Sequence, residues 1–197
     1  MKVILDIGHG GTKTLADGKK ITDFGAVNSA TGMNEFTWNK DFVENYIIPE
    51  LNRNNIENKV VLRRIGTEIL VQDLNKAANK EDVILSFHLN SSATASGTET
   101  LYWITSNNGK RLATLIQARL VKVLGLPNRG IKLRRKPINK EDELNQRGWT
   151  MFRDTKVPFV LLESFFISNN NDLNIGTNRR IELAKAVVEA VKEYIGG

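Results

Sequence analysis

"KVILDIGHGG", residues 2–11, decides the fold class of this chain. Val3, Ile4 and Leu5 make a short apolar run of β-favouring type, and the glycines behind it end the run abruptly. Four later segments repeat the pattern: "KVVLRR" (59–64), "DVILSF" (82–87), "TETLYWI" (98–104) and "PFVLLES" (158–164). Helical patterns lie between them. One spans 35–53 with Phe42, Tyr46 and Leu51 on a face, and Pro49 kinks or restarts it. A second spans 67–80, with Thr67 as N-cap and Leu70, Leu74 and Ala78 four residues apart. The third, 109–124, carries the stripe Leu112, Leu115, Ile116, Leu120, Val123, and Gly125 stops it. The last spans 178–195 and is expected to turn Ile181, Ala184, Val188, Val191 and Ile195 inward. Strands alternating with helices predict a layered α/β domain with a mostly parallel sheet. No repeat, low-complexity tract or Pro/Ser-rich linker interrupts the pattern, so residues 1–197 read as one domain.

Composition narrows the chemistry. The chain has 197 residues, 41% hydrophobic and 25% charged, as in an ordinary globular protein with a substantial core. It has no cysteine, which excludes disulfides, zinc ribbons and thiol catalysis and leaves His, Asp and Glu as metal ligands. A net charge of +6 points to a polyanionic partner: nucleic acid, an anionic membrane or an acidic wall polymer. The first strand begins within two residues of Met1 without a secretory leader, and no apolar run is long enough to span a bilayer. The expectation is a chain made in the cytoplasm, or a domain excised from a longer protein.

In open α/β sheets functional groups collect at the carboxyl ends of strands. The chain's two histidines both sit there: His9 past the first run and His88 in "VILSFHLNSS", just past the third. Gly8, Gly10 and Gly11 around His9 allow unusual backbone angles and close approach of a ligand. A phosphate-binding loop is the rival reading, but "GHGG" lacks both the GxGxxG spacing and the Lys-Ser/Thr pair of a P-loop. A catalytic zinc takes three His, Asp or Glu ligands and leaves a fourth position for water. Two histidines and a carboxylate meet that count. Glu163 interrupts "PFVLLESFFI", a run apolar enough for a central strand, where an unpaired carboxylate is costly. It is either half of a structural ion pair, with Arg153 the candidate partner, or a general base tuned by burial.

"DIGHGG", a Glu at the head of a helix in "MNEFTWNK", "SFHLNSS", "GTETLYW", "RGIK" and "VPFVLLESFFISNNNDL" together resemble the zinc-dependent N-acetylmuramoyl-L-alanine amidases of the amidase-3 type. The resemblance runs from about residue 2 to 195 with its motifs in family order. It implies a twisted mixed sheet flanked by helices on both faces. It further implies that His9, Glu35 and His88 bind one zinc ion and that Glu163 is the catalytic carboxylate. The implied reaction cleaves the amide between N-acetylmuramic acid and L-alanine, with bacterial peptidoglycan as partner and neither nucleic acid nor membrane insertion involved. A zinc peptidase cutting within the stem peptide, or a non-catalytic wall-binding module, are the alternatives. A chain of this kind without a leader resembles a phage endolysin, with the excised domain of an exported autolysin as runner-up. No wall-binding domain is visible in the sequence.

The sequence also departs from the family pattern. Phe165 stands where a glycine commonly follows the last glutamate, residues 66–79 hold no arginine, and the stretch after "RGIK" is long and basic. These changes bear on the substrate groove. Asn90, Asn128 and Arg129 are candidate substrate contacts, whereas Glu99 in "GTETLYW" reads as exposed or structural. "RGIKLRRKPINK" (129–140) carries Arg129, Lys132, Arg134, Arg135, Lys136 and Lys140 with no acid. It reads as a loop, either merely solvated or drawing the protein to anionic wall polymers.

Overall fold

The computed structural model describes residues 1–64 and 66–197, the side chain of Lys13 excepted. The chain opens with β1 (Val3–Ile7), then the short strands β2 (Thr12–Thr14) and β3 (Lys20–Thr22). The helix α1 (Glu35–Phe42) runs through one π-helical stretch, Val43–Ile47, into α2 (Ile48–Arg53), so the chain restarts its helix at Pro49 instead of leaving it. There follow β4 (Asn58–Leu62), α3 (Thr67–Ala77), β5 (Val83–Asn90), β6 (Thr98–Trp103), α4 (Asn107–Leu124) and β7 (Asn128–Arg134). The C-terminal part contains α5 (Asp142–Asn145), α6 (Trp149–Asp154), β8 (Phe159–Phe166), α7 (Asn170–Asn178) and α8 (Arg180–Gly196).

Six strands form one sheet in the order β4-β1-β5-β8-β6-β7, and β2 pairs only with β3. The first four are mutually parallel; β6 runs antiparallel to β8 and carries β7 parallel to itself. The mostly parallel sheet read from the pattern, mixed as the family resemblance implies, is thus the one observed. All five β1 residues are buried because helices cover both faces of the centre, as in parallel sheets generally.

The two faces are unequal. On one, Leu5, Leu85 and Leu162 pack against Phe42, Ile116 and Val187 from α1, α4 and α8. On the other, Ile4, Ile84 and Phe159 cluster with Leu70, Val71, Leu74 and Ala77 of α3 and with Met151 and Phe152 of α6. This thinner layer leaves the carboxyl ends of β1, β5 and β8 open.

Several expectations need correction. Gly66, at φ 56°, occupies the N-cap of α3, so Thr67 is its first helical residue. The C-terminal helix read over 178–195 is α8, Arg180–Gly196, and a further helix that the reading lacked, α7, precedes it. Within α8, Ala184, Val188 and Val191 do face inward, but Ile181 and Ile195 are 57% and 45% exposed. The segment read as a basic loop begins as a strand: β7 lies at the sheet edge with most side chains in solvent, so it lacks the apolar signature of a strand.

Candidate active site and metal centre

His9 reaches the open strand ends through its backbone. Its φ is +68°, in the left-handed region that few non-glycine residues enter, and Gly10 continues at +80°. The chain doubles back, Gly10 donates to the Asp23 carbonyl at 2.7 Å, and the imidazole turns over the end of the sheet. His88 lies inside β5, and its ring rests on the backbone of Gly8; a Cβ there would sit 2.5 Å from His88 Nε2. Glu35 enters from the first residue of α1, which Asn34 caps by accepting from Thr37 N at 2.9 Å. Gly25 leaves room for it, since a Cβ would fall 2.5 Å from Glu35 Oε2.

The three side chains converge. Glu35 Oε2 lies 3.2 Å from His9 Nε2, and Glu35 Oε1 lies 2.9 Å from His88 Nδ1. Backbone amides fix the carboxylate: Ala26 N donates to Oε2 and Leu89 N to Oε1, each at 3.0 Å. Burial would raise the Glu35 pKa, but the hydrogen bonds and charges of His88 and His9 outweigh it and hold the group well below the carboxylate range. Burial lowers the His9 pKa, yet Glu35 and Asp23 together carry it above its ordinary value. One donor atom from each of the three residues fits within a 4.8 Å group, and the buried His88 Nε2 has no hydrogen-bond partner among the described residues. Two imidazoles and a carboxylate, pre-gathered and partly unsatisfied, suit a divalent metal of the zinc type.

Asp23 completes His9 from behind. Its Oδ2 lies 3.0 Å from His9 Nδ1 and 3.6 Å from Arg63 Nη1, which fixes the ring and leaves Nε2 for the centre. The sequence reading missed Asp23, which sits 14 residues from His9 on a polar loop with no periodicity to mark it. It also missed buried Asp6, which accepts from Ser86 Oγ at 2.6 Å beneath the cluster.

Glu163 stands in β8 directly between His88 of β5 and Glu99 of β6. Its Oε2 is shut from solvent and has no hydrogen-bond partner among the described residues. Burial drives its pKa well above the ordinary value; the charges of Glu35 and Glu99 add to this, and Arg134 opposes it. The ion pair expected with Arg153 does not form: Arg153 pairs with Asp154 at 2.5 Å and stacks on Trp149.

A cleft of about 580 Å³ joins His9, Glu35 and His88 to Glu163, and it also includes Asn90, Glu99 and Arg134. Of the candidate substrate contacts, only Asn90 lines it. Asn128 accepts from Gln117 Nε2 at 2.8 Å and from Gly130 N at 2.9 Å, holding the start of β7. Arg129 donates to Glu99 Oε2 at 2.8 Å and lies over the Phe166 ring. Glu99, with Asn90 donating to its Oε1 at 2.9 Å, is thus a half-buried wall of the cleft.

Fold and donor set together define an α/β protein with a candidate metal centre at its strand ends. The chain belongs to the amidase-3 family, described as N-acetylmuramoyl-L-alanine amidase, whose model matches residues 3–193. It is 28% identical over 200 residues to the probable cell wall amidase LytH of Staphylococcus aureus, covering 98% of this chain and 57% of that one. It is 35% identical over 108 residues to the N-acetylmuramoyl-L-alanine amidase LytC of Bacillus subtilis, covering 52% of this chain and 19% of LytC. The chain therefore spans little more than half of LytH and a fifth of LytC. Among solved structures, the catalytic domain of CwlV, an N-acetylmuramoyl-L-alanine amidase from Bacillus (Paenibacillus) polymyxa, superposes with TM-score 0.73 at 26% identity, covering 100% of this chain and 99% of that one. Ami1 of Mycobacterium smegmatis shares the fold at TM-score 0.77 and 18% identity, covering 100% and 97%.

Proposed function

We propose that this protein is a zinc-dependent peptidoglycan amidase that hydrolyses the bond between N-acetylmuramic acid and the L-alanine of the stem peptide. The observation that carries the reading is the single cleft joining His9, Glu35 and His88 to Glu163. His9, with its Nδ1 held by Asp23, His88 and Glu35 would hold the ion. When bound, zinc supplies a Lewis acid and lowers the pKa of water toward about 7. Glu163, desolvated and without a fixed partner, takes a proton from the attacking water. The water oxygen bonds to the lactyl carbonyl carbon, the C–N bond breaks, and Glu163 delivers the proton to the departing alanine nitrogen. The apolar walls Leu101 and Leu161 limit solvent around it.

The substrate lies in the cell wall, and we place anionic wall polymers as a second, looser partner. Among the described residues, no helix is long and apolar enough to cross a membrane. Lys132, Lys136 and Lys140 are exposed along and beyond the edge strand, where they suit such a polymer. Arg134 leaves this set because it turns into the cleft. Arg135 leaves it because it pairs with Asp142 at 2.6 Å.

Metal removal tests the reading. Dialysis against a chelator should abolish wall lysis, and one equivalent of zinc should restore it. Full activity in a preparation shown by elemental analysis to be metal-free would contradict the proposal.

A further inference from the structure

The cleft continues past the group assigned to proton transfer. Beyond Glu163 its wall turns apolar, with Leu101 and Leu161 from the sheet and Leu144 and Met151 from α5 and α6. Arg134, the last residue of β7, enters this pit. It pairs in register with Trp103 of β6, so its side chain shares the sheet face of Glu99 and Leu101. It is half-buried, and its Nε, closed to solvent, has no hydrogen-bond partner among the described residues. Burial lowers its pKa below the ordinary value, and the charges of Glu99 and Glu163 oppose this only in part. Glu99, however, is committed to Arg129 and Asn90, and Glu163 must stay free to move a proton. Arg63, another arginine of the cleft, lies on the metal side facing Asp23. A desolvated guanidinium whose own chain leaves a donor unused is matched by an anion from outside.

The sheet order fixes which part of a substrate that anion belongs to. From β1 and β5 with the metal donors, the face passes to β8 with Glu163, then β6, then β7 with Arg134. Glu163 hands its proton to the departing nitrogen, so the amine half of the substrate lies on Glu163's side of the centre, which is Arg134's side. From β8 to β7 is two strand spacings, about 10 Å. An extended peptide covers that in about three residues, and the length of an arginine side chain shortens it to about two.

Resting on the amidase reading above, we propose that Arg134 seats the free carboxylate of the second residue of the stem peptide, with neighbouring aliphatic groups lying on Leu101, Leu161 and Met151. Arg134 is then a determinant of specificity for acidic over amidated stem peptides. Arg147, exposed at the mouth of the same cleft, adds positive potential along the path of entry.

Two soluble muramoyl-dipeptides test this. They differ only at the second residue, which carries a free carboxylate in one and a carboxamide in the other, every other carboxyl group being amidated. The wild-type protein loaded with zinc should cleave the acid with kcat/KM about ten- to a hundred-fold above the amide, the range of one charge-assisted hydrogen-bonded pair. In Arg134→Met the ratio should fall to about one to three, mainly through KM on the acid; Arg134→Lys should keep part of it. Melting temperatures show that each variant is folded, and the Lys variant carries the comparison if Met destabilises the edge strand. A wild-type ratio near one, or a variant that loses rate equally on both substrates because Arg134 acts only through Glu163, would overturn the subsite. Failure of the wild type to cleave either substrate at the muramoyl–alanine bond would overturn the amidase reading itself.

Discussion

His9 and Glu163 show how much chemistry single residues of this chain bear. His9 accepts a left-handed backbone at φ +68° and so brings an imidazole from a strand end over the sheet, where Asp23 steadies it. Glu163 occupies a place in a central strand where the hydrophobic pattern asks for an apolar side chain. Replacing it separates its two sequence readings. Glu163→Gln keeps the shape and one hydrogen-bond acceptor but cannot take a proton. The expected variant melts within a few degrees of wild type, binds one zinc, and turns over about 10²- to 10⁴-fold more slowly, measured as melting temperature, metal content and rate on one preparation. A fall in melting temperature with the rate intact would make it a structural carboxylate. The histidines were singled out by their place just past apolar runs, and Glu163 because it interrupts one. Glu35 carried no such mark, since a glutamate at a helix start ordinarily just complements the helix dipole, and only the family resemblance singled it out. Asp23 and Arg134 act through contacts that join distant segments, which no local pattern reports.

At the scale of elements, the strands with both faces buried were readable as apolar runs, and the edge strand β7 was not. Its pattern follows its position, with one neighbour and solvent beyond. Helix α7 went unread for a related reason: its sequence, NNDLNIGTN, is mostly polar and buries only Asp172, Leu173 and Gly176, so it shows no apolar stripe. Phe165, the departure from the family's glycine, is fully buried against Trp38, with ring centroids 4.9 Å apart at 87°. Gly176 of α7 makes the space: a Cβ there would fall 2.6 Å from Phe165 Cδ1. A large side chain on one element is thus matched by an absent one on the next. Asp82 anchors the entry to β5. It accepts from Lys2 N at 2.7 Å and Asn79 N at 2.8 Å, with Lys2 Nζ 3.6 Å away. Burial pushes its pKa up, but the backbone amides of Asn79 and Lys2 and the lysine charge win and set it below the ordinary 3.8. A depressed carboxylate stabilises the fold above its unfolded pKa and loses that contribution as pH falls through the folded value. Asp82→Asn should therefore cost about 1–2 kcal/mol at pH 7, and the gap to wild type should narrow below about pH 3.8 in denaturant titrations. A gap independent of pH would mean that packing, not charge, is what Asp82 contributes.

For the whole molecule, unequal layering of the sheet places the centre. Helices α1, α2, α4, α7 and α8 cover one face, and the thinner cover on the other leaves a cleft across four strands, with the candidate metal donors at one end and Arg134 at the other. The chain carries a net charge of +6, and Lys132, Lys136 and Lys140 are exposed along and beyond the edge strand. Exposed charges act over about 8–10 Å at physiological ionic strength. Changing Lys132, Lys136 and Lys140 to Glu should weaken co-sedimentation with purified walls at low salt, with the difference from wild type closing as salt rises. Equal sedimentation at low salt would leave those lysines as solvated charges alone.

The central claim is that one cleft, with metal donors at His9, Glu35 and His88 and proton transfer at Glu163, opens the amide between the glycan and its peptide. Mass spectrometry of purified peptidoglycan digested by the zinc-loaded protein measures this directly. The account predicts released stem peptides that begin with a free L-alanine amine, glycan strands left with intact lactyl carboxylates, and no new reducing sugar ends. New amino termini between residues within the stem peptide, or no cleavage at all by the zinc-loaded protein, would contradict it.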